Sequence, residues 1–275
     1  MIIEGLKIKQ ELIDKLKTYP VPKKYLAAFI VAGDKIQENF LSQKEKVAKE
    51  LNIDFRIYRL SPDITNDEFR KKIHQIVDRK KCGGAIVQLP LPNNLNADYI
   101  LNAIPPTKDI DLLSERSIGG FYNNRSLILP PSVEVVKEIL KRTNFSLAGK
   151  NIAIVGLGKL VGKPISLWLI NNAKIEKIKN IFILDKESEL DFLKLADLVI
   201  LGANQGSIVT PNNLKAKAGI IDFGYSYNSA GKLIGNLDIA NLKPDNFSFY
   251  TPTPGGTGPI LIAKIFENFY ALNNQ

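Results

Sequence analysis

Two rhythms alternate along the chain. Short runs rich in β-branched and aromatic residues, such as YLAAFIV at 25–31, NIAIV at 151–155 and ADLVIL at 196–201, read as buried strands. Longer stretches between them carry apolar residues at helical spacing. In the first half this pattern predicts helices over residues 6–19, 36–51, 65–80 and 97–103, and strands over 25–31, 54–60 and 84–87. A helix over 131–142 leads into the second half, with strands over 151–155, 181–184, 196–201 and 218–222. Helices are expected there over 165–171 and 260–272, and a hairpin or excursion over 226–234. Thr65 or Asn66 is placed to cap the third helix. Strands that alternate with helices imply an α/β fold with parallel sheets, and side chains just past the strand ends then face a ligand crevice.

Three places carry candidate chemistry. The first is residues 151–164, NIAIVGLGKLVGKP, where Gly156, Gly158 and Gly162 separate a strand from a helix. Glycines let the backbone approach a pyrophosphate, and the first helical turn points its N–H groups at it. The G-x-G-x-x-x-G spacing is one residue longer than the usual dinucleotide fingerprint, and a plain tight turn is the alternative. The second is Lys44. Ile36, Phe40, Val47 and Leu51 share a helical face, and Lys44 lies beside that stripe, one turn after Phe40. A lysine there either snorkels with a wet head or sits in a cleft where burial lowers its pKa toward use as a base. The third is the set of strand ends and turns: Gln88 before Leu-Pro-Leu-Pro, the acidic turn 105–111, and the proline- and glycine-rich loop 250–259. Polar caps and a solvated loop are the plain readings of the first two.

Composition narrows the class. A length of 275 residues allows two domains, and the 45% hydrophobic fraction is that of a globular chain. No apolar run is long enough for a membrane span, and the N-terminus lacks a signal peptide's apolar core. The single cysteine, Cys82, excludes an internal disulfide and suits a reducing, cytoplasmic setting. The single histidine, His74, lies in a charged helical segment, so no His-built metal site or triad is expected. The net charge of +9 is spread over nearly every helix, which fits solvated faces and small anionic ligands better than nucleic acid.

VQLPLP (87–92), PTKDID (106–111), VGLGKLVGKP (155–164), IIDFG (220–224) and TPTPGGTGP (251–259) follow one another in an order that resembles a single family. It is the bifunctional methylenetetrahydrofolate dehydrogenase/methenyltetrahydrofolate cyclohydrolase family, often called FolD, and the resemblance covers the whole chain. It implies an N-terminal α/β folate domain over 1–130, completed by a C-terminal helix over 258–275, and a Rossmann-like doubly wound NAD(P)-binding domain over 131–257. A folate cleft between the domains and a homodimer are implied too. The implied activity is oxidation of methylenetetrahydrofolate with NAD(P), then hydrolysis of the methenyl product to formyltetrahydrofolate, in the one-carbon metabolism that feeds purine biosynthesis. By the same resemblance Lys44 activates water and steers protons, Gln88 contacts and tunes it, and Asp111 binds the amino-pyrimidine edge of the pterin. Pro254, Gly255 and Gly256 wall the substrate, while Gly156, Leu157, Gly158, Gly162, Asp185 and Tyr225 fall where the family meets its cofactor.

The chain departs from the family in ways that matter. Phe40 stands where the family has tyrosine, so a ring remains to stack on the pterin but a hydroxyl is lost, and hydrolysis should suffer more than hydride transfer. The family's P-C-T-P-x-G segment reads PPSVEV at 130–135, and Leu112 follows Asp111 in place of glycine. Leu157 and Gly158 replace the Arg-Ser of the glycine loop, which removes a partner for a ribose 2′-phosphate. Asp185 would accept from ribose hydroxyls and repel a phosphate, although Lys159 and Lys186 oppose that effect. NAD is therefore favoured over NADP. A monofunctional relative, dehydrogenase or cyclohydrolase alone, and a non-catalytic folate- or nucleotide-binding protein are the alternatives.

Overall fold

A computed structural model describes residues 1–33 and 35–274, without the side chains of Lys35 and Ile36; the Ile36 position of the expected stripe thus lies outside the described residues. The chain divides into two compact units, Gln10–Pro131 with the stretch from Ile262 onward, and Met1–Lys9 with Ser132–Leu261. The elements run α1 (Gly5–Lys17), β1 (Tyr25–Val31), α2 (Lys35–Glu50), β2 (Phe55–Leu60), α3 (Asn66–Val77), β3 (Cys82–Val87), α4 (Ala97–Leu101) and α5 (Glu115–Tyr122). There follow α6 (Pro131–Arg142), β4 (Asn151–Val155), α7 (Gly162–Asn172), β5 (Asn180–Leu184), β6 (Leu198–Leu201) and β7 (Gly219–Asp222). The short strands β8 (Ser226–Tyr227), β9 (Leu233–Ile234) and β10 (Phe249–Tyr250) precede the last helix, α8 (Thr257–Asn273).

The first unit is built on a parallel sheet of order β2-β1-β3. Its central strand, YLAAFIV, is buried along its whole length, as a strand covered on both faces must be. Alternation sends Tyr25, Ala27, Phe29 and Val31 into one cluster with Phe69, Ile73 and Ile76 of α3 and with Ile100 and Leu101 of α4. On the other face Ala28 and Ile30 meet Leu41 of α2. Thr65 is the cap of α3: its side chain accepts from the Glu68 N–H, while Glu68 accepts from the Thr65 N–H at 2.9 Å.

The second unit holds a parallel sheet of order β10-β7-β6-β4-β5. β5 lies on one side of β4 and β6 on the other, so the strand order reverses at the end of β4, which is where such sheets receive ligands. Residues 226–234 form an antiparallel hairpin, closed by Asn228 Oδ1 accepting from the Ala230 and Lys232 N–H groups. The N-terminus groups with this unit because Ile3 N–H donates to Tyr250 O and Tyr250 N–H to Met1 O, covering the β10 edge. The local pattern of residues 1–9 carries no sign of that placement. Helix α5 is also absent from the pattern, since ERSIGGFY has two glycines; the Ser114 side chain caps it by accepting from Ser117 N–H. The last helix starts at Thr257, three residues earlier than its apolar spacing predicts, with Pro259 in a first turn that tolerates a missing N–H.

The turn after β4 is fixed by close backbone approach. Gly156 has φ +90°, and a Cβ at Gly162 would lie 1.8 Å from the Gly156 carbonyl oxygen. A Cβ at Gly158 would meet nothing nearer than 3.9 Å. Gly162→Ala should therefore lower stability by about 3 kcal/mol, an overpacking cost that backbone atoms cannot relieve by a rotamer change. Gly158→Ala should melt within about 1 °C of the unsubstituted protein, since open space leaves no such cost. Thermal unfolding of the two variants checks this; equal losses would contradict it.

Candidate active site

Helix α2 turns Gln37, Leu41, Lys44, Val47 and Ala48 inward. Lys44 does not snorkel: it is 6% exposed, and its Nζ donates to Gln88 Oε1 at 3.0 Å. Phe40, one turn earlier, is half-buried. Gln88 reaches the lysine because it sits one residue beyond β3, where its own N–H donates to Phe29 O at 2.8 Å and continues the sheet ladder. The chain then turns through a cis Leu89-Pro90 bond, and Gln37 Nε2 donates to Pro90 O at 2.7 Å. Gln37 thus ties the helix that carries Lys44 to the turn that carries Gln88. The sequence pattern does not reveal this role, because a glutamine before an apolar helix face reads as surface.

Asp111 is held by a separate device. Ala85 of β3 forms an isolated parallel bridge with Asp109, and Ala85 N–H donates to Lys108 O. Gly84 leaves room beside that bridge: a Cβ there would lie 2.9 Å from Ile110 Cγ2 and 3.1 Å from Phe269 Cδ2. Asp109 is buried, and its carboxylate accepts from Leu113 N–H at 3.2 Å and Ser114 N–H at 2.8 Å. Leu112, with φ +54°, takes up the sharp turn between them. Asn268 of α8 fixes the same segment by donating to Ile110 O at 2.9 Å. The acidic turn is therefore an ordered bracket around Asp111, not a solvated loop.

Lys44, Gln88 and Asp111 form one electrostatic group. Burial pushes the Lys44 ammonium below the usual lysine value, and the Asp111 charge opposes that shift. Burial likewise pushes the half-buried Asp111 carboxyl up to about 6; Lys44 holds it down and Asp109 adds to the rise. Gln88 is a neutral partner: its carbonyl oxygen satisfies an ammonium proton without adding charge. A lysine so placed can give and take a proton nearer neutrality than a surface lysine.

The remaining candidates lie in the second unit. Val161, the N-cap of α7, makes no side-chain cap bond; within the first turn Lys163 N–H donates to Gly158 O at 3.1 Å and Pro164 carries no N–H, so Gly162 N–H is the one an anion could take. Leu157 is half-buried and Gly158 exposed. Lys159 is depressed by burial and then by the like charge of Lys163, so two cations stand close together at this turn. An uncapped helix start, a glycine with open space around it and two lysines fit a pyrophosphate. Asp185, exposed, follows β5, where its N–H donates to Ser188 Oγ at 2.9 Å. Tyr225 packs edge-to-face with Tyr227 at 6.2 Å between ring centres. Pro254 follows a cis Thr253 bond, Gly255 has φ +96°, and a Cβ on Gly256 would meet Pro252 O at 2.4 Å. Among the described residues no three His, Cys, Asp or Glu side chains lie together as a metal site, and no helix is long and apolar enough to cross a membrane.

Comparison with known proteins finds two family models along the chain. Residues 3–111 match the tetrahydrofolate dehydrogenase/cyclohydrolase catalytic domain, and residues 130–275 match the NAD(P)-binding domain of the same family. A protein of Thermodesulfovibrio yellowstonii named bifunctional protein FolD is 31% identical, over 98% of this chain and 94% of its own. The crystal structure of the bifunctional FolD methylenetetrahydrofolate dehydrogenase/cyclohydrolase from Campylobacter jejuni superposes with a TM-score of 0.91 at 25% identity, covering 100% of this chain and 99% of that one. The FolD of Trypanosoma brucei, solved with NADP and an inhibitor, shares the fold with a TM-score of 0.90 at 21% identity, over 100% and 97% of the two chains.

The Lys44–Gln88 bond sets a measurable coupling. Gln88→Leu strands a buried ammonium proton and should cost about 2 kcal/mol in denaturant unfolding. Lys44→Met/Gln88→Leu removes both partners and should recover most of that loss. Additive losses in the double variant would show that the two side chains do not interact.

Proposed function

The chain belongs to the tetrahydrofolate dehydrogenase/cyclohydrolase family, and from that membership we propose how its own residues divide the two reactions. In the first, methylenetetrahydrofolate gives up a hydride to a nicotinamide cofactor and becomes the methenyl cation. In the second, water adds to the methenyl carbon, a proton leaves, and a carbon–nitrogen bond breaks to give formyltetrahydrofolate. The observation that carries the assignment is the buried Lys44 bonded to Gln88 and facing the charge of Asp111.

Asp111 is the anchor for the pterin. An ionised carboxylate accepts two parallel N–H bonds from the amino-pyrimidine edge, and with a pKa of about 6 it is ionised at neutral pH. Phe40 supplies a ring face to the pterin. Lys44 takes and returns protons as water adds and the ring opens, and Gln88 keeps its Nζ aimed. Pro254, Gly255 and Gly256 wall the substrate near the nicotinamide.

The nicotinamide group supplies the hydride acceptor when bound. Gly156, Gly158 and Gly162 with the first turn of α7 bind its pyrophosphate, supported by the uncapped helix start and the open space around Gly158. Leu157 offers no charge to a ribose 2′-phosphate, Asp185 accepts from ribose hydroxyls, and Tyr225 borders the same ligand. These residues favour NAD over NADP. The protein works as a homodimer in a cytoplasmic setting.

Phe40 decides the balance of the two steps. Without a hydroxyl one turn before Lys44, proton transfer in the hydrolysis has one relay fewer, while hydride transfer needs only positioning. A spectrophotometric assay with methylenetetrahydrofolate should show turnover with NAD exceeding that with NADP, and methenyl product should accumulate. Phe40→Tyr should raise methenyl hydrolysis by about tenfold or more and leave hydride transfer within about twofold. Turnover with NADP alone, or no accumulation, would overturn the cofactor and Phe40 readings respectively. Silence in both reactions would overturn the catalytic one.

A further inference from the structure

One buried carboxylate in the second unit has no part in the chemistry above. Asp222 ends β7 and is fully buried. Its Oδ1 accepts from Gly224 N–H at 2.7 Å and its Oδ2 from Leu237 N–H at 2.9 Å, so the side chain clamps both ends of the 223–237 segment that carries Tyr225. Glycine is required at 235 for this approach, since a Cβ there would lie 2.2 Å from Oδ2. The backbone of the same residue makes a different set of bonds. Asp222 N–H donates to Thr251 Oγ1 at 2.7 Å, and Asp222 O accepts from Thr257 Oγ1 at 2.8 Å, clamping both ends of the loop that carries Pro254, Gly255 and Gly256. A longer link, Thr253 Oγ1 to Gly224 O at 3.5 Å, is at the limit of hydrogen-bond range.

The next residue of the clamp, Asn236, extends it to the glycine turn. Its amide exchanges bonds with Ala203, Nδ2 donating to Ala203 O and Oδ1 accepting from Ala203 N–H, each at 2.9 Å. Its Nδ2 also donates to Gln205 O at 2.5 Å. Residues 202–203 are the atoms a Cβ at Gly156 would strike, at 2.7 Å for Gly202 O and 2.9 Å for Ala203 N. The 223–237 segment, the 251–257 loop and residues 203–205 thus meet at Asp222 and Asn236, and residues 202–203 in turn pack against the Gly156 turn. Both Asp222 oxygens act as acceptors, as an ionised carboxylate does, and burial raises its pKa to about 6, still below neutrality.

We infer that Asp222 is a positioning residue with two separable outputs: its carboxylate sets the cofactor-side segment 223–237, and its backbone sets the substrate-side loop 251–257. This rests on the assignment of Tyr225 to the cofactor and of Pro254–Gly256 to the substrate made above. The two outputs respond to different substitutions. Asp222→Asn turns an amide N–H toward a backbone N–H and breaks one bond of the carboxylate clamp, leaving the backbone bonds in place. Thr257→Val removes the hydroxyl bond to Asp222 O and leaves the carboxylate clamp in place.

The test combines steady-state kinetics with amide hydrogen exchange. Asp222→Asn should raise the KM for the nicotinamide cofactor about tenfold and leave the KM for methylenetetrahydrofolate and the rate of methenyl hydrolysis within about twofold. Thr257→Val should raise the KM for the folate about fivefold and leave the cofactor KM within about twofold. Exchange at whichever of the Gly224 and Leu237 amides faces the new side-chain NH2 should accelerate in Asp222→Asn, while both should stay unchanged in Thr257→Val. If both variants raise both KM values together, or if neither moves either, the inference is overturned. If Asp222→Asn does not fold, the Thr257→Val arm decides alone: a rise in cofactor KM, or no rise in folate KM, overturns it. If the unsubstituted protein turned over neither reaction, the functional assignment would fail, and the exchange pattern would still decide whether the two clamps are separable.

Discussion

Keeping the Lys44 ammonium out of water is the constraint on which the first unit's site depends. An ion so placed is tolerated only when its proton donors and its charge are answered, because an unpaired buried charge costs several kcal/mol. Gln88 answers the donor and Asp111 the charge. Each partner in turn needs support. Gln88 is aimed by the ladder bond to Phe29 and by the Gln37 tie to Pro90, and Asp111 by the Asp109 bracket and the hold of Asn268 on Ile110. Removing any of these leaves a polar group inside the protein with its partner displaced, so the supports are as constrained as the group they hold.

The second unit meets a different requirement: loops that accept an anion must stay open at their tips and closed at their bases. Openness comes from Gly158 and the uncapped start of α7. Closure comes from the glycine contacts at 156 and 162 and from the Asp222 and Asn236 bonds beneath them. A rigid base lets a ligand be bound without ordering its own site first, which preserves binding energy for catalysis.

How much of this the sequence carries depends on how local the cause is. The β1 and β4 runs are set by neighbours in the chain and read directly, and the cap of α3 reads as Thr65 or Asn66, of which Thr65 takes the place with Glu68 as its partner. Lys44 could be placed at the edge of a stripe but not at a depth, because its burial is a matter of tertiary contact and its partners Gln88 and Asp111 lie far along the chain. The acidic turn reads as solvated since nothing in PTKDID shows that Asp109 turns inward onto its own backbone. Asp222 stands inside the IIDFG motif and Asn236 in an unpatterned segment, and only tertiary contact reveals what either side chain holds. The family motifs marked the candidate site earlier than geometry did, but they did not mark the residues that hold it in place.

The measurement that bears most directly on this account is the titration of Lys44 itself, followed by the carbon resonance next to its Nζ in protein labelled at lysine. The account predicts a midpoint below that of the surface lysines, because burial disfavours the charged form. It also predicts a further fall in Asp111→Asn, where the opposing negative charge is gone. A Lys44 that titrates with the surface lysines, or one whose midpoint rises when Asp111 is neutralised, would contradict the claim that burial and Asp111 together set its proton affinity.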